Sequence, residues 1–166
     1  MMRRFALVPL FLLLAACGLH PLYSGGSGGQ VAGLLRSVEV APIAGQSGWL
    51  VRTKLIDRLG ETGSGAAQYR LDVTLDDNLT SYGLRADRAA TQERRSLRAR
   101  YQLVDLANGM VLLDETAGSD ASVDVVSSEY ATVTAEQTAL ENLSGIVADQ
   151  IVARLAVYAA RTTHGR

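Results

Sequence analysis

Six arginines stand within sixteen residues of this 166-residue chain, and their type and spacing suggest chemistry more clearly than any others. They are Arg85, Arg88, Arg94, Arg95, Arg98 and Arg100. Arginine presents a planar fork of N–H donors that matches the oxygens of a phosphate or a carboxylate. From Arg94 onward polar and apolar residues alternate, which predicts a strand with one polar and one apolar face. The polar face would carry Arg94, Ser96, Arg98, Arg100 and Gln102, and the apolar face Leu97, Ala99, Tyr101 and Leu103.

Two interpretations of this arginine-rich strand stay open. In the first, its polar face is solvated and its arginines are balanced by carboxylates on neighbouring strands. The acidic candidates are Asp72, Asp76, Asp114, Glu115 and Asp124. In the second, the arginines on the polar face bind a ligand that carries phosphate groups, because the guanidinium fork is suited to bidentate contact with phosphate.

The remaining residues do not assemble into a recognisable catalytic or metal site. His20 and His164 lie near the two ends, and neither has a Cys or His neighbour at metal-ligand spacing. No histidine lies in the body of the domain to act as a general base. Asp76 and Asp77 are followed by Asn78, which indicates a strand end or bulge rather than a catalytic pair. The sequence therefore predicts no metal, no cofactor and no enzymatic activity.

The charge balance bears on the class of partner. The chain carries 16 basic and 17 acidic residues, a formal net charge of −1. Non-specific binding to nucleic acid requires a surplus of basic residues, which neutralise the phosphate backbone. We therefore expect no nucleic-acid partner.

The N-terminus has the features of an export signal. Arg3 and Arg4 precede an apolar run that ends in two alanines, and Cys17, the only cysteine, follows directly. A positive segment, a short apolar segment and small residues before the cleavage point define a secretory signal. Small residues before a lone cysteine also resemble the lipobox of bacterial lipoproteins. We therefore expect residues 1–16 to be removed and Cys17 to be acylated, since two or more acyl chains give stable membrane anchoring.

The rest of the chain predicts one α+β domain. Residues 17–35 are expected to form the lipidated N-terminus and a flexible, glycine-rich tether, residues 36–162 the domain, and residues 163–166 a tail. Hydrophobic periodicity predicts the order β-α-β-β-β-α, with two helices packed on one face of a mostly antiparallel four-stranded sheet.

The individual elements have recognisable limits. Val38 to Ile43 predicts the first strand, and Ser47 can cap a helix that stops at Gly60. A strand of alternating polarity starts at Tyr69, and a polar stretch from Tyr82 to Glu93 separates it from the arginine-rich strand. Asn108-Gly109 is typical of a type I′ hairpin turn. Met110 to Thr116 would be the return strand, with a break at Gly118-Ser119-Asp120. Ser128 can cap a second helix that runs to about Arg161.

The segment from Cys17 to Tyr23, with the sequence Cys-Gly-Leu-His-Pro-Leu-Tyr, resembles the mature N-terminus of the LptE family in its alphaproteobacterial form. Leu19 stands where that form often has an aromatic residue. The predicted order of strands and helices also resembles the LptE fold. Gly18, directly after the acylated cysteine, is not the aspartate that would retain a lipoprotein in the inner membrane.

The resemblance implies a definite function. LptE proteins are not enzymes. They are lipid-anchored at the outer membrane, plug the lumen of the β-barrel LptD and bind lipopolysaccharide. LptE and LptD together deliver lipopolysaccharide to the outer leaflet. It also implies a basic ligand-binding position near the loop before the arginine-rich strand. Arg85 or Arg88 would occupy that position. Together with Arg94, Arg98 and Arg100 on the polar face, they are the candidate residues for binding the phosphate groups of lipopolysaccharide. The polar face could also contact the polar lumen of the barrel. The alternative is a lipid-anchored accessory subunit of another envelope transporter.

Overall fold

Residues 29–60, 66–84 and 90–164 are described by a computed structural model, and within them three helices and four strands follow one another. In chain order they are α1 (Gln30–Arg36), β1 (Val38–Val40), α2 (Gly45–Leu59), β2 (Tyr69–Leu84), β3 (Ala90–Asp105), β4 (Val111–Asp124) and α3 (Glu129–His164). The signal segment, Cys17, Arg85 and Arg88 lie outside the described residues.

The four strands form one sheet in the order β1-β2-β3-β4, which confirms the predicted α+β class. β1 pairs with β2 in parallel, with α2 as the connection, and the other two pairings are antiparallel. β2 and β3 form a long hairpin that pairs Tyr69 with Asp105 at one end and Leu84 with Ala90 at the other. Residues 82–84 and 90–93 of the predicted polar stretch are therefore strand, because cross-strand hydrogen bonds hold the backbone there whatever the polarity of the side chains.

The hydrophobic core lies between one face of the sheet and the helices. The strands contribute the alternate residues that the sequence predicted, and Leu97, Ala99, Tyr101 and Leu103 are all at most 2% exposed. α3 contributes a stripe at helical spacing that includes Leu140, Leu143, Val147, Ile151 and Leu155, as expected for one buried helix face. α2 runs parallel to α3, and hydrogen bonds from Gln46 to Gln137 and from Arg58 to Asp149 join their exposed flanks.

Two expectations about the first third of the domain are wrong. The tether was expected to extend to residue 35, but α1 covers Gln30–Arg36 and buries Leu35 in the core. Val31, Leu34 and Leu35 recur at helical spacing, and this short helix packs beside α3 because those side chains have a core to enter. α2 begins at Gly45 after an N-cap at Ala44, and not behind a Ser47 cap.

The β3–β4 hairpin is present, but its turn is wider than the two-residue type I′ turn that Asn108-Gly109 predicts. The Asp105 amide donates to the Met110 carbonyl, so four residues lie between them. The Asp105 carboxylate accepts from the Ala107 amide at 2.8 Å and so stabilises the turn, while Gly109 has a φ of 72°. β4 then runs without the predicted break at residues 118–120.

α3 is the longest element and has 36 residues. The Ser128 hydroxyl accepts a hydrogen bond from the Ala131 amide at 3.4 Å, which confirms the predicted cap. By length and composition Glu129–Thr162 could cross a membrane, but half of its most apolar window is buried inside the domain. That burial is the pattern of a core helix.

Candidate ligand-binding face

The candidate site is the sheet face that points away from the helices, called here the open face. On β3 it carries Arg94, Ser96, Arg98, Arg100 and Gln102, between the alternate residues of β2 and β4. The predicted alternation is confirmed, because Arg94, Arg98 and Arg100 are exposed while Leu97, Ala99, Tyr101 and Leu103 on the other face are buried. The three arginines nevertheless have different surroundings.

Arg100 is held by a carboxylate on the neighbouring strand. Its Nε and Nη2 atoms donate to the two oxygens of Asp114 at 3.0 and 2.8 Å, and Gln102 donates to the same carboxylate at 2.8 Å. These hydrogen bonds, from Arg100 first and then from Gln102, lower the pKa of Asp114 to about 2. Both partners are exposed to solvent, so the geometry fixes the side chains more than it stabilises the fold.

Arg98 lies across β4 and is also engaged. Its Nη1 donates to the Ser119 carbonyl at 2.8 Å and its Nη2 to Asp120 at 2.7 Å. The Arg98 side chain can cross β4 at this point because residue 118 is glycine, and a Cβ atom on Gly118 would overlap Cδ of Arg98. Ser96 donates to the same Asp120 carboxylate. The hydrogen bond from Ser96, and then the one from Arg98, lower the pKa of Asp120.

Arg94 differs from both, because it forms no ion pair with any described residue. Its guanidinium carbon lies 5.7 Å from the centre of the Tyr82 ring, within the range of a cation–π contact. The Tyr82 hydroxyl in turn donates to Ser122 on β4 at 3.3 Å. Arg94 is thus a positioned cation whose N–H donors are not taken up by a carboxylate, and such a group can contact an anionic ligand.

Arg95 points to the opposite face and has a structural role. Its guanidinium makes two hydrogen bonds to Asp77, at 2.9 and 2.8 Å, and donates to the Glu136 carbonyl of α3 at 3.3 Å. The hydrogen bonding to Asp77 raises the pKa of Arg95. Arg95 therefore joins β2, β3 and the first turns of α3.

The acidic partners are partly those that the sequence suggested. Asp114 pairs with an arginine of β3 as expected, but Asp72 pairs with Arg70 on its own strand, and Glu115 pairs with Arg154 of α3 on the helix side. Asp120 was missed, because the Gly118-Ser119-Asp120 segment reads as a strand break and the register places it beside Arg98 only in three dimensions. The solvated, charge-balanced interpretation therefore describes Arg98 and Arg100 but not Arg94.

At the other end of the sheet a groove of about 470 Å³ is lined by Ala67, Gln68, Tyr69, Asp105, Leu106 and Ala107. Its one carboxylate, Asp105, accepts hydrogen bonds from Ala107 and Asn108 within the hairpin turn. Among the described residues no group of three or more His, Cys, Asp or Glu side chains could hold a metal ion. The arginine-bearing open face remains the strongest candidate site in the described part of the chain.

Comparison with solved structures identifies the fold as one found in bacterial lipoproteins. A lipoprotein of Caulobacter crescentus is 25% identical, with a TM-score of 0.66, and the match covers 78% of this chain and 96% of that one. The rare lipoprotein B of Shewanella oneidensis is 11% identical with a TM-score of 0.59, covering 76% and 98%. A minor lipoprotein of Acinetobacter baumannii is 16% identical with a TM-score of 0.56, covering 74% and 92%.

The family itself follows from the sequence of the domain. The model of the LptE family, described as lipopolysaccharide-assembly, matches residues 35–155, which is well over half of the chain. The chain therefore belongs to the LptE family of lipopolysaccharide-assembly lipoproteins. No curated protein matches the chain.

Proposed function

We propose that this protein is a non-enzymatic outer-membrane lipoprotein that plugs an LptD-type β-barrel and binds lipopolysaccharide through its open face. Membership of the LptE family supports the role in lipopolysaccharide assembly. The export signal and the lone Cys17 support anchoring by acyl chains at the periplasmic side of the outer membrane. A folded domain with a polar sheet face suits the polar interior of a barrel.

Arg94 is the residue we assign to the phosphate groups of lipopolysaccharide. Arg98 and Arg100 are neutralised by Asp120 and Asp114, so a phosphate would have to displace a carboxylate to reach them. Arg94 needs no such exchange, and Tyr82 already orients it. Arg85 and Arg88 follow the end of β2 in the sequence and are proposed as further contacts. The state of Arg94 is the single observation that carries this assignment.

The experiment compares two variants that change net charge equally. Arg94→Gln should weaken binding of purified lipopolysaccharide by about tenfold, the loss expected for one charge-assisted contact, whereas Arg100→Gln should leave it almost unchanged. A lipid A from which the phosphates have been removed should bind both variants and the unmodified protein alike. An equal loss in the two variants would show that only overall charge matters and would overturn the assignment.

A further inference from the structure

The turn between β3 and β4 is an exposed apolar tip of the domain. Leu106, Met110 and Val111 lie close together in this turn and expose 43%, 60% and 50% of their surface. The run from Leu106 to Leu113 contains no charged residue. Large aliphatic side chains that lie together in solvent mark a surface for a protein partner or for a membrane.

The backbone of the turn is hydrogen-bonded within the protein. Five of its amides have acceptors there: those of Asp105, Leu106, Ala107, Gly109 and Met110. The Asp105 carboxylate accepts from the Ala107 amide and the Asn108 side chain, so its charge is directed into the turn. An amide without a partner is costly in an apolar medium, because no water is there to accept its hydrogen bond. The turn can therefore leave water with little loss of backbone hydrogen bonding.

The described chain starts at the same end of the domain as this turn. The Leu106 amide donates to the Gln68 carbonyl at 3.0 Å, and the Gln68 amide donates to the Ser37 carbonyl at 3.0 Å. Ser37 directly follows α1, which has seven residues, so Gly29 lies within roughly 25 Å of the turn. The twelve residues that precede it in the expected mature chain, Cys17 included, can span up to about 40 Å. The anchor and the turn can therefore reach one membrane surface.

We propose that the β3–β4 turn is a membrane-docking tip, which inserts Leu106, Met110 and Val111 between the headgroups and acyl chains of the leaflet that carries the anchor. The inference rests on the anchoring at Cys17 that the proposed function includes, but not on lipopolysaccharide binding or on a barrel. An anchor makes insertion of the turn an intramolecular event, so a small apolar surface suffices. A domain docked in this way, before it enters a barrel, holds Arg94 roughly 35 Å from the turn, near the other end of β3.

A second group of exposed apolar side chains provides the comparison. Val126, Tyr130 and Val133 lie at the opposite end of the sheet, where β4 ends and α3 begins. That end is roughly 40 Å from the β3–β4 turn along the strands. The charged residues Asp124 and Glu129 lie among these side chains in the sequence. This group is therefore not an uncharged tip, and we expect it to stay in water.

Quenching of tryptophan fluorescence by brominated acyl chains tests the proposal. The chain from Cys17 onward is coupled through its only cysteine to a maleimide-bearing lipid, in vesicles of phosphatidylethanolamine and phosphatidylglycerol. Trp49→Phe removes the only tryptophan, so that each chain carries one reporter. Met110→Trp should lose about half of its fluorescence in brominated vesicles, because its side chain lies at the acyl boundary. Val133→Trp replaces a residue of similar exposure, 56%, and is the matched control that should lose little.

A second substitution checks that the turn itself is inserted. With Leu106→Trp as the reporter, adding Met110→Asp should restore the fluorescence, because a carboxylate is costly in an apolar medium. Adding Val133→Asp should leave the quenching in place. Equal quenching of Met110→Trp and Val133→Trp would overturn the proposal. An unquenched Met110→Trp in the coupled chain would overturn it as well and would favour a protein partner for the turn.

The coupling separates this test from that of the proposed function. The maleimide-bearing lipid replaces the acyl chains on Cys17, so a lack of acylation in cells would contradict the proposed function and leave the quenching unchanged. A chain that is acylated in cells but unquenched in vesicles would contradict only the docking of the turn.

Discussion

Glu136 of α3 lies beside Glu93 of β3, so two carboxyl groups meet where the first turns of the long helix pack on the sheet. Ser81 donates to Oε1 of Glu93 at 2.9 Å, whereas Oε2 is buried and has no hydrogen-bond donor among the described residues. Arg95 lies on the same face but is engaged by Asp77. A proton on Glu136 would supply the donor that Glu93 lacks.

Glu136→Gln should stabilise the protein at neutral pH. Burial, and then the neighbouring Glu93, raise the pKa of Glu136. A carboxyl group whose pKa rises on folding contributes stability that is present at low pH and lost as the pH rises through the folded-state pKa. Glutamine donates a hydrogen bond without titrating, so its advantage should grow as the pH rises above the ordinary carboxyl pKa of about 4 and through the raised pKa of Glu136.

Urea unfolding at a series of pH values measures this effect. Glu141→Gln is the control, because Glu141 lies exposed on the same helix. Parallel pH profiles for Glu136→Gln and the unmodified protein would show that the pKa of Glu136 does not rise on folding, contrary to the prediction.

The opposite pH behaviour is expected at Asp114. Its pKa is depressed on folding, so the stabilising effect of its pairing is present above the ordinary carboxyl pKa and is lost as the pH falls toward about 2. Arg100→Ser removes the larger of the two hydrogen-bonding influences. We expect the pKa of Asp114 in this variant to rise toward its ordinary value, as measured by NMR titration of the carboxyl carbon. Arg94→Ser is the control and should leave the pKa of Asp114 unchanged. An unchanged pKa of Asp114 in Arg100→Ser would contradict the pairing.

Leu143→Ala should destabilise the domain by about 2–5 kcal/mol, the range for removing a buried leucine side chain from a packed core. Leu143 is 1% exposed and packs in the cluster between α3 and the sheet. Ile146, three residues along the same helix, is 43% exposed, so Ile146→Ala should cost about 1 kcal/mol or less. Chemical unfolding measures both. Similar losses for the two variants would contradict the position of α3.

Cys17→Ser should abolish acylation, because the acyl group is carried by the cysteine sulfur. Metabolic labelling with a fatty-acid analogue tests this, with Ser24→Ala as a labelled control. The domain should keep its unfolding midpoint, since the described core begins well after the site. Equal labelling of the Cys17→Ser protein and the control would contradict the lipoprotein assignment.

The sequence predicted the elements whose periodicity reflects the core. Leu97 to Leu103 alternate because every second side chain enters that core, and Leu140 to Leu155 recur at helical spacing for the same reason. α1 was missed because seven residues beside a glycine-rich segment make too short a pattern to stand out. The strand ends near Leu84 and Ala90 were missed because their pairing is maintained by backbone hydrogen bonds, which leave no trace in side-chain polarity.

The sequence predicted which arginines share one face of the sheet, but not the partner of each arginine. Alternation places Arg94, Arg98 and Arg100 together, but the pairing of each depends on the register between β3 and β4. That register brings Asp120 and Gly118 beside Arg98, and Asp114 beside Arg100. Single-strand patterns carry no information on register, so the contrast between Arg94 and its two paired neighbours became visible only in the folded sheet.

Site-specific photocrosslinking in intact cells tests the central claim most directly. One photoreactive residue replaces Thr74, which is exposed on the open face and lies opposite Arg100 in the β2–β3 register. A probe at this position leaves the arginine–aspartate pairs intact. A second probe at Gln102 samples the same face nearer the β3–β4 turn. The proposed function predicts that both probes capture an LptD-type outer-membrane barrel. Capture of inner-membrane transporter subunits, with no crosslink to any barrel, would contradict it and favour an accessory subunit of another envelope transporter.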